Sequence, residues 1–226
     1  MPEANFKLQL SHMKDKEFPK KIADNVYLYS SDPIVYVVKK FLSDEECNAF
    51  IKEATSNLKD STVIGPDKEI KLEARTSKNC WIEHNSNDLV LEVSKRLSIL
   101  VQMPIRNAEQ YQLVYYDQGG EYRAHFDSFD FDTAEGKKNW EPGGQRMLSV
   151  IAYLNDVADG GGTDFPELGF TIPPKKGDVV VFHNTKENEI ASDYPMIHPN
   201  SLHAGMPVLS GEKWIVNLWF RENLRY

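Results

Sequence analysis

Residues 111–127, which read YQLVYYDQGGEYRAHFD, constrain this chain more than any other stretch. They end in a histidine and an aspartate separated by one residue, His125 and Asp127, at the end of a predicted strand. Side chains two positions apart on a strand lie on the same face, so these two would present an imidazole nitrogen and a carboxylate oxygen to one point. Nearer the C-terminus, SLHAGMPVLSGEKW offers a third ligand, His203, with Lys213 ten residues further on.

Two histidines and one carboxylate favour an iron site. This ligand set leaves about half of an octahedral shell open and is associated with non-haem Fe(II) oxygenases. His183 and His198 are competing third ligands, but neither is followed by a lysine ten residues later. We therefore interpret these two histidines as structural or surface residues and the chain as an iron oxygenase.

Composition limits the other classes of function. The 226 residues suit one domain, and a hydrophobic share of 41% is enough for a sizeable core. A net charge of -8 provides no basic surface for nucleic acid, so we expect no nucleic-acid partner. The sequence has no run approaching ~18 apolar residues and no apolar region near its N-terminus, so we expect a cytoplasmic protein with no membrane contact.

The hydrophobic pattern predicts a mainly β protein with flanking helices, in the α+β class. We predict an N-terminal extension over residues 1–25, a support region of helices and strands over 26–107, and a β-rich core over 108–222. Short strands bounded by turns rich in Gly and Pro indicate a sandwich or barrel. The predicted strands are 26–30, 34–41, 112–116, 122–126, 147–154, 171–172, 178–182 and 213–220.

Two helices are predicted in the support region. Ser43 begins the first, because Glu46 three residues later completes a capping box. The second spans residues 88–101, with Ser86 or Asn87 as its N-cap. The expected apolar faces are Cys47, Phe50, Ile51 and Ala54 in the first helix, and Leu89, Val93, Leu97 and Leu100 in the second.

Two long polar insertions flank the candidate ligands. Residues 128–145 directly follow Asp127, and residues 183–200 precede His203. Loops of this length in a compact domain are usually functional or disordered. Because both insertions enter or leave at a candidate ligand, we expect them to form a lid over the site.

The candidate ligands belong to a longer series of motifs between residues 33 and 222. In order, the motifs are FLSDEEC, ARTS, YYDQGGEYRAHFD, GGQR, GGGTDFP, KKGDVVVF and SLHAGMPVLSGEKW. With this series the chain resembles the prolyl 4-hydroxylase group of Fe(II)- and 2-oxoglutarate-dependent dioxygenases. The resemblance implies a double-stranded β-helix, which is a jelly-roll barrel, with His125, Asp127 and His203 as the iron ligands at its catalytic centre.

The resemblance also implies a pocket for the cosubstrate. Lys213 matches the cation that binds the distal carboxylate of 2-oxoglutarate, and Tyr116 and Thr163 match positions that hydrogen-bond the same group. A buried dicarboxylate needs a positive partner, since an unpaired buried charge is costly. From the residues alone, Lys213 could equally be a solvated strand end, Tyr116 a packing residue and Thr163 part of a turn.

On the substrate side, the resemblance implies a proline in a peptide or protein, hydroxylated to 4-hydroxyproline. Dioxygen would be consumed, succinate and CO2 released, and ascorbate would serve as reductant. Tyr122, Arg146 and Trp219 match residues near the peptide, although Trp219 could equally be a core aromatic residue. The loops at residues 75–84 and 128–145 would select the substrate.

Two alternatives stay open at this point. One is a 2-oxoglutarate oxygenase that acts on a free amino acid or small metabolite. The other is a non-catalytic jelly-roll module with a structural metal, although a structural zinc site would be closed by four ligands. GGGTDFP has a glycine where many relatives have glutamate, and the last strand reads NLWF in place of the commoner ending. The detailed substrate preference of the relatives is therefore a poor guide to that of this chain. The oligomeric state and a pairing of Cys47 with Cys80 also stay open.

Overall fold

The computed structural model describes residues 18–55, 57–60, 76–141, 143–186 and 195–225. Their strands are β1 (Lys20–Ala23), β2 (Val26–Ser31), β3 (Ile34–Val38), β4 (Lys59–Asp60), β5 (Lys78–Ile82), β6 (Tyr111–Tyr116), β7 (Tyr122–His125), β8 (Arg146–Tyr153), β9 (Asp159–Gly160), β10 (Thr163–Phe165), β11 (Phe170–Ile172), β12 (Val179–His183), β13 (His203–Gly205), β14 (Val208–Ser210) and β15 (Lys213–Arg221). Their helices are α1 (Asp44–Thr55), α2 (Asp88–Val101) and α3 (Ala134–Trp140), with 3₁₀ turns at Ile105–Asn107 and Pro199–Ser201. Most of the predicted N-terminal extension, and residues 187–194 of the second insertion, lie outside the described residues.

The strands form two main antiparallel sheets. The larger sheet has the order β1-β2-β3-β12-β8-β15-β6-β5-β4, the smaller has the order β11-β10-β13-β7, and β9 pairs with β14. Strands β2, β3 and β5 of the predicted support region lie in the same sheet as β6, β8, β12 and β15 of the predicted core. This architecture confirms the predicted mainly β fold with flanking helices.

Apolar side chains from both sheets fill the space between them. Val114, Ile151 and Val180 of the larger sheet share a buried cluster with Phe165 and Ile172 of the smaller sheet. Each such side chain contributes about 1.5–3 kcal/mol when it is fully removed from water. The cluster therefore holds the two sheets together beside the residues that line the site.

The last strand, β15, separates two environments by simple alternation. Val216, Leu218 and Phe220 join the core cluster that includes residues of α1 and α2. Ile215 and Trp219 point to the opposite face and line a cavity between the sheets. Consecutive residues of β15 therefore face different environments, because side chains alternate along a strand.

Both predicted helix starts are present. The Glu46 carboxylate accepts from Ser43 N at 2.9 Å, and Ser43 Oγ accepts from Glu46 N at 3.2 Å, which is the expected capping box. Asn87 caps α2, because its side chain accepts from Val90 N at 3.0 Å. Among the described residues, no helix is long and apolar enough to cross a membrane.

The buried face of α2 differs from the predicted one. Val90, Val93 and Leu97 are buried, whereas Leu89 is 42% exposed. Two apolar stripes overlap in this sequence, and the one that starts at Val90 faces the sheet. The assignment of Leu89 to the core was therefore wrong, whereas Cys47, Phe50 and Ala54 of α1 are buried as predicted.

The two cysteines are not paired. Cys47 and Cys80 are both buried free thiols. Burial raises the pKa of Cys47 to about 11 and also raises the pKa of Cys80. Both side chains are therefore neutral at neutral pH and serve as small apolar packing groups.

Candidate active site

The three predicted iron ligands come together in the smaller sheet. His125 ends β7 and His203 begins β13, and these neighbouring antiparallel strands pair the two histidines directly. Asp127 lies two residues beyond the end of β7. Its carboxylate oxygens lie 3.6 Å from Nε2 of each histidine, and one ligand atom from each of the three residues lies within 4.8 Å of the others.

Hydrogen bonds to the backbone orient both imidazole rings. His125 Nδ1 lies 2.8 Å from the carbonyl oxygen of Arg123, and His203 Nδ1 lies 3.0 Å from the carbonyl oxygen of Ser201. A carbonyl oxygen only accepts, so each Nδ1 carries the proton and donates it. The Nε2 lone pairs are thereby directed to the carboxylate of Asp127, as a metal site requires.

The charges at the cluster also suit a metal ion. Burial alone would raise the pKa of Asp127, but the charge interaction with His203 and the hydrogen bond from His125 hold it well below its usual range. Burial lowers the pKa of His203 to about 4. At neutral pH the cluster therefore contains a carboxylate and a neutral imidazole, which are the protonation states that bind metals.

Lys213 is a buried cation beside this cluster. It begins β15, lies opposite Tyr116 of β6, and is only 2% exposed. Its Nζ lies 5.3 Å from the centre of the Tyr116 ring and 5.9 Å from that of Tyr153. No carboxylate of the described residues forms an ion pair with it, and burial lowers its pKa to about 7. A buried ammonium group without such a partner favours the binding of an anionic ligand, to which its N–H groups can donate.

One cavity of about 570 Å³ connects all the predicted site residues. Those residues are Tyr116, Tyr122, His125, Asp127, Arg146, Thr163, His203, Lys213 and Trp219. The cavity reaches the surface at Trp81, which is 50% exposed and also lines it. The cation and the three clustered ligands therefore share one open cleft with the aromatic residues.

Comparison with known proteins assigns the family. The sequence profile of the 2OG-Fe(II) oxygenase superfamily matches residues 111–221. A protein of Acanthamoeba polyphaga mimivirus, provisionally named prolyl 4-hydroxylase, is 39% identical over 188 residues that cover 83% of this chain and 74% of that protein. Prolyl 4-hydroxylase 5 of Arabidopsis thaliana is 33% identical over 220 residues, or 86% of this chain and 70% of that protein. The chain belongs to the prolyl 4-hydroxylase family.

A solved structure supports the same assignment for the fold. The viral collagen prolyl hydroxylase of Paramecium Bursaria Chlorella virus-1, in its 2OG complex, matches with a TM-score of 0.65 and 29% identity. The match covers 83% of this chain and 95% of that one. This prolyl 4-hydroxylase family member is therefore a 2-oxoglutarate-dependent dioxygenase with a double-stranded β-helix fold, and Fe(II) and 2-oxoglutarate are its metal and cosubstrate.

The residues of this family member fit both groups. His125, Asp127 and His203 provide two imidazoles and a carboxylate, the donors that suit Fe(II). Lys213 provides the buried charge that a dicarboxylate would neutralise. The assignment of each residue to its ligand stays a prediction, and the geometry supports it.

Thr163 lies in the same cavity as Lys213 and is held by a neighbouring tyrosine. Its hydroxyl lies 2.6 Å from the hydroxyl of Tyr153. A side chain at the preceding Gly162 would place its Cβ 2.5 Å from Cγ2 of Thr171 on the paired strand β11. A larger residue at Gly162 would therefore require the Thr171 side chain to move.

The aromatic residues at the mouth of the cavity have defined partners. Tyr122 stacks on His125 with ring centroids 3.7 Å apart. Arg146 lies 3.7 Å over the Trp219 ring, and Trp219 is 5% exposed. The indole Nε1 of Trp219 is buried and has no hydrogen-bond partner within the described residues. The ring of Trp219, and not its N–H, therefore forms part of the wall of the cleft.

Sequence reasoning missed the acidic partner of Arg146. Glu109 binds Arg146 through two hydrogen bonds of 2.8 and 2.9 Å and accepts from Arg221 at 3.1 Å. Arg221 also donates to the carbonyl oxygens of Asn139 and Gly144 in the first insertion. The sequence offered one indication, since Arg221 is a charged residue at the end of an apolar strand. The structure shows that Arg221 anchors the first insertion, which contains α3.

The competing histidines lie outside the ligand cluster. His198 is buried, and its Nε2 lies 2.9 Å from Oδ1 of Asp32 in the turn between β2 and β3. His183 ends β12, where it pairs with Leu148 of β8. Neither histidine joins the group of metal-ligating side chains found among the described residues.

Proposed function

We propose that this enzyme hydroxylates a prolyl residue in a peptide or protein to 4-hydroxyproline. In the same turnover, 2-oxoglutarate is oxidatively decarboxylated to succinate and CO2. The observation that carries the proposal is the single open cleft that joins Lys213, the three clustered ligands and the aromatic mouth at Trp81 and Trp219. The relatives from mimivirus and Arabidopsis, which are named as prolyl 4-hydroxylases, support the same activity.

The protein's own contribution is to bind, orient and shield. When bound, Fe(II) and 2-oxoglutarate supply the activation of dioxygen for C–H hydroxylation. His125, Asp127 and His203 would hold the metal, and Lys213 would fix the distal carboxylate of the cosubstrate at the buried end of the cleft. The cleft limits the directions from which a substrate carbon can approach the three ligands, and Asp127, His203 and Lys213 are themselves buried.

The mouth of the cleft suits a proline within a chain better than a free amino acid. Tyr122 presents an aromatic ring next to His125, against which an apolar pyrrolidine ring can pack. Arg146 is already paired through two bonds with Glu109, so its charge is not available for the carboxylate of a free amino acid. The Trp219 ring, which also lines the cleft, offers the peptide a second aromatic surface.

Ascorbate as the reductant that maintains Fe(II) is part of this proposal. It rests on the family resemblance alone and is tested by omission. Turnover with and without ascorbate should show a faster loss of activity when ascorbate is absent.

The test is a substrate screen with purified protein, Fe(II) and 2-oxoglutarate. Proline-rich peptides should gain one oxygen atom per modified proline, and peptides with alanine in place of proline should not. Succinate should form in step with hydroxylation, and His203→Ala should form neither product. Hydroxylation of free proline but not of peptides would favour the small-molecule alternative, and no hydroxylated peptide despite succinate formation would contradict the proposal.

A further inference from the structure

A hydrogen-bond chain connects Asp127 to the middle of β8 and to the residue after β12. Ser149 Oγ donates to Asp127 Oδ2 at 2.6 Å, and Asn184 Nδ2 donates to Ser149 Oγ at 2.8 Å. Ser149 is 1% exposed and Asn184 is 0% exposed. Water therefore does not compete for these bonds, and a hydroxyl that donates to a carboxylate in a dry interior makes a strong one.

The chain has a defined direction. A serine hydroxyl carries a single proton, and Asn184 Nδ2 can only donate, so the Ser149 proton is directed to Asp127. If the Asn184 amide were turned over, its oxygen would face Ser149 Oγ and would compete with Asp127 for the single hydroxyl proton. Asn184 therefore sets the orientation of the Ser149 hydroxyl.

The backbone of Asn184 also supports the turn that presents His203. Its carbonyl oxygen accepts from His198 N at 2.9 Å, and the carbonyl oxygen of His198 accepts from Ser201 Oγ at 2.7 Å. The carbonyl oxygen of Ser201 in turn accepts from His203 Nδ1 at 3.0 Å. One buried residue thus touches the supports of two candidate iron ligands, Asp127 through its side chain and His203 through its backbone.

We propose that Ser149 and Asn184 are positioning residues that restrict Asp127 to one metal-binding oxygen. Ser149 occupies Oδ2, which leaves Oδ1 as the oxygen available to the metal. A carboxylate that bound through both oxygens would take one of the open coordination positions that this ligand set otherwise leaves. Ser149 and Asn184 therefore keep that position open for 2-oxoglutarate and dioxygen. This inference rests on the iron site and not on the identity of the substrate.

The test compares variants that break the chain at different points. Ser149→Ala removes the hydroxyl, and Asn184→Asp keeps the shape but supplies an acceptor that competes for the Ser149 proton. Ser149→Thr keeps a hydroxyl and should behave like the wild type. Thr185→Val is the matched control, because Thr185 is the buried neighbour of Asn184 and its hydroxyl is directed to Met147 Sδ at 3.8 Å.

The readouts are made without oxygen and without substrate. We expect Ser149→Ala and Asn184→Asp to bind 2-oxoglutarate about tenfold or more weakly, while their Fe(II) affinity falls by a clearly smaller factor. The visible spectrum of the Co(II)-substituted protein with 2-oxoglutarate should also change in these two variants. The melting temperature of the metal-free variants should match that of Thr185→Val.

Three results would overturn the inference. The first is wild-type affinity for 2-oxoglutarate in both Ser149→Ala and Asn184→Asp. The second is a loss of iron and 2-oxoglutarate binding that follows a fall in melting temperature, since that describes a merely structural role. The third is loss of iron alone at an unchanged melting temperature. A wild-type protein that binds no Fe(II) would instead contradict the metal site itself.

Discussion

His203 on β13 lies directly opposite His125 on β7, and their ring centroids are 4.3 Å apart. The register of two strands from distant parts of the chain therefore sets the spacing of two candidate metal ligands. A slip of one residue in this pairing would turn His203 to the other face of the sheet. The metal cluster can thus form only when the smaller sheet is paired in this register.

Replacing a clustered histidine should remove iron, whereas replacing a histidine outside the cluster should not. His203→Ala deletes one of three donors, and we expect Fe(II) affinity to fall by more than about tenfold. His183→Ala is the control, since His183 lies outside the cluster at the end of β12. Isothermal titration of the anaerobic protein with Fe(II) checks both, and equal affinities would contradict the ligand assignment.

Binding of 2-oxoglutarate should weaken as the pH rises above about 7. Burial lowers the pKa of Lys213 to about 7, and only the ammonium form pairs with a carboxylate. Above that pH the cosubstrate must bind together with a proton, so its dissociation constant should rise by up to about tenfold per pH unit. Titrations in buffers of different ionisation enthalpy should detect this proton uptake at about pH 8.

The control for the pH effect removes the titrating group. Lys213→Met should bind 2-oxoglutarate weakly at every pH and show no slope. The ligand-free fold should behave in the opposite sense, because a lysine whose pKa is lowered on folding destabilises the protein most at low pH. The free energy of unfolding of the wild type should therefore rise between about pH 7 and the unfolded pKa of about 10.4, as the penalty for burying the charged Lys213 is lost. A pH-independent affinity in the wild type would contradict the assignment of Lys213.

The buried carboxylate of Glu109, which lines the cleft, should stabilise the fold. Glu109→Gln would leave Arg146 and Arg221 without their carboxylate partner, and we expect a loss of about 3 kcal/mol or more in the free energy of unfolding. Glu92→Gln is the control, because its pair with Lys95 is exposed and should be worth less than about 1 kcal/mol. Urea denaturation of both variants measures the difference, and similar losses would show that the buried cluster is not structural.

The Trp219 ring in the wall of the cleft should act on the peptide and not on the cosubstrate. Trp219→Leu removes the ring but keeps an apolar side chain, so KM for the peptide should rise about threefold to tenfold while the affinity for 2-oxoglutarate stays unchanged. Trp214→Leu is the matched control, since Trp214 lies on the other face of β15 and packs on Tyr115. An unchanged KM in Trp219→Leu would remove the ring from the substrate site.

Local patterns predicted much of the fold and the residues of the candidate site. The capping box at Ser43 and the alternation along β15 are short-range features, and both are present in the structure. Leu89 was misassigned because two apolar stripes overlap on α2, and only the packing of the helix on the sheet decides between them. Periodicity alone contains no information on that choice.

The supports of the site were beyond sequence reasoning. Ser149 reads as one small residue in an apolar strand, and Asn184 reads as the start of a polar insertion. Their hydrogen bond joins β8 to the residue after β12, and this contact depends on the order of strands in the larger sheet. The same holds for Glu109, whose partners Arg146 and Arg221 lie on β8 and β15.

The most direct test of the account is the visible spectrum of the anaerobic protein with Fe(II) and 2-oxoglutarate. Chelation of iron by the 2-oxo acid should produce a weak charge-transfer band, and no substrate is needed. The account predicts a band in the wild type, no band in His203→Ala, and a band in Lys213→Ala only at much higher 2-oxoglutarate concentrations. A wild-type protein that binds iron but produces no band, or a Lys213→Ala titration identical to the wild type, would contradict the proposed iron and cosubstrate site.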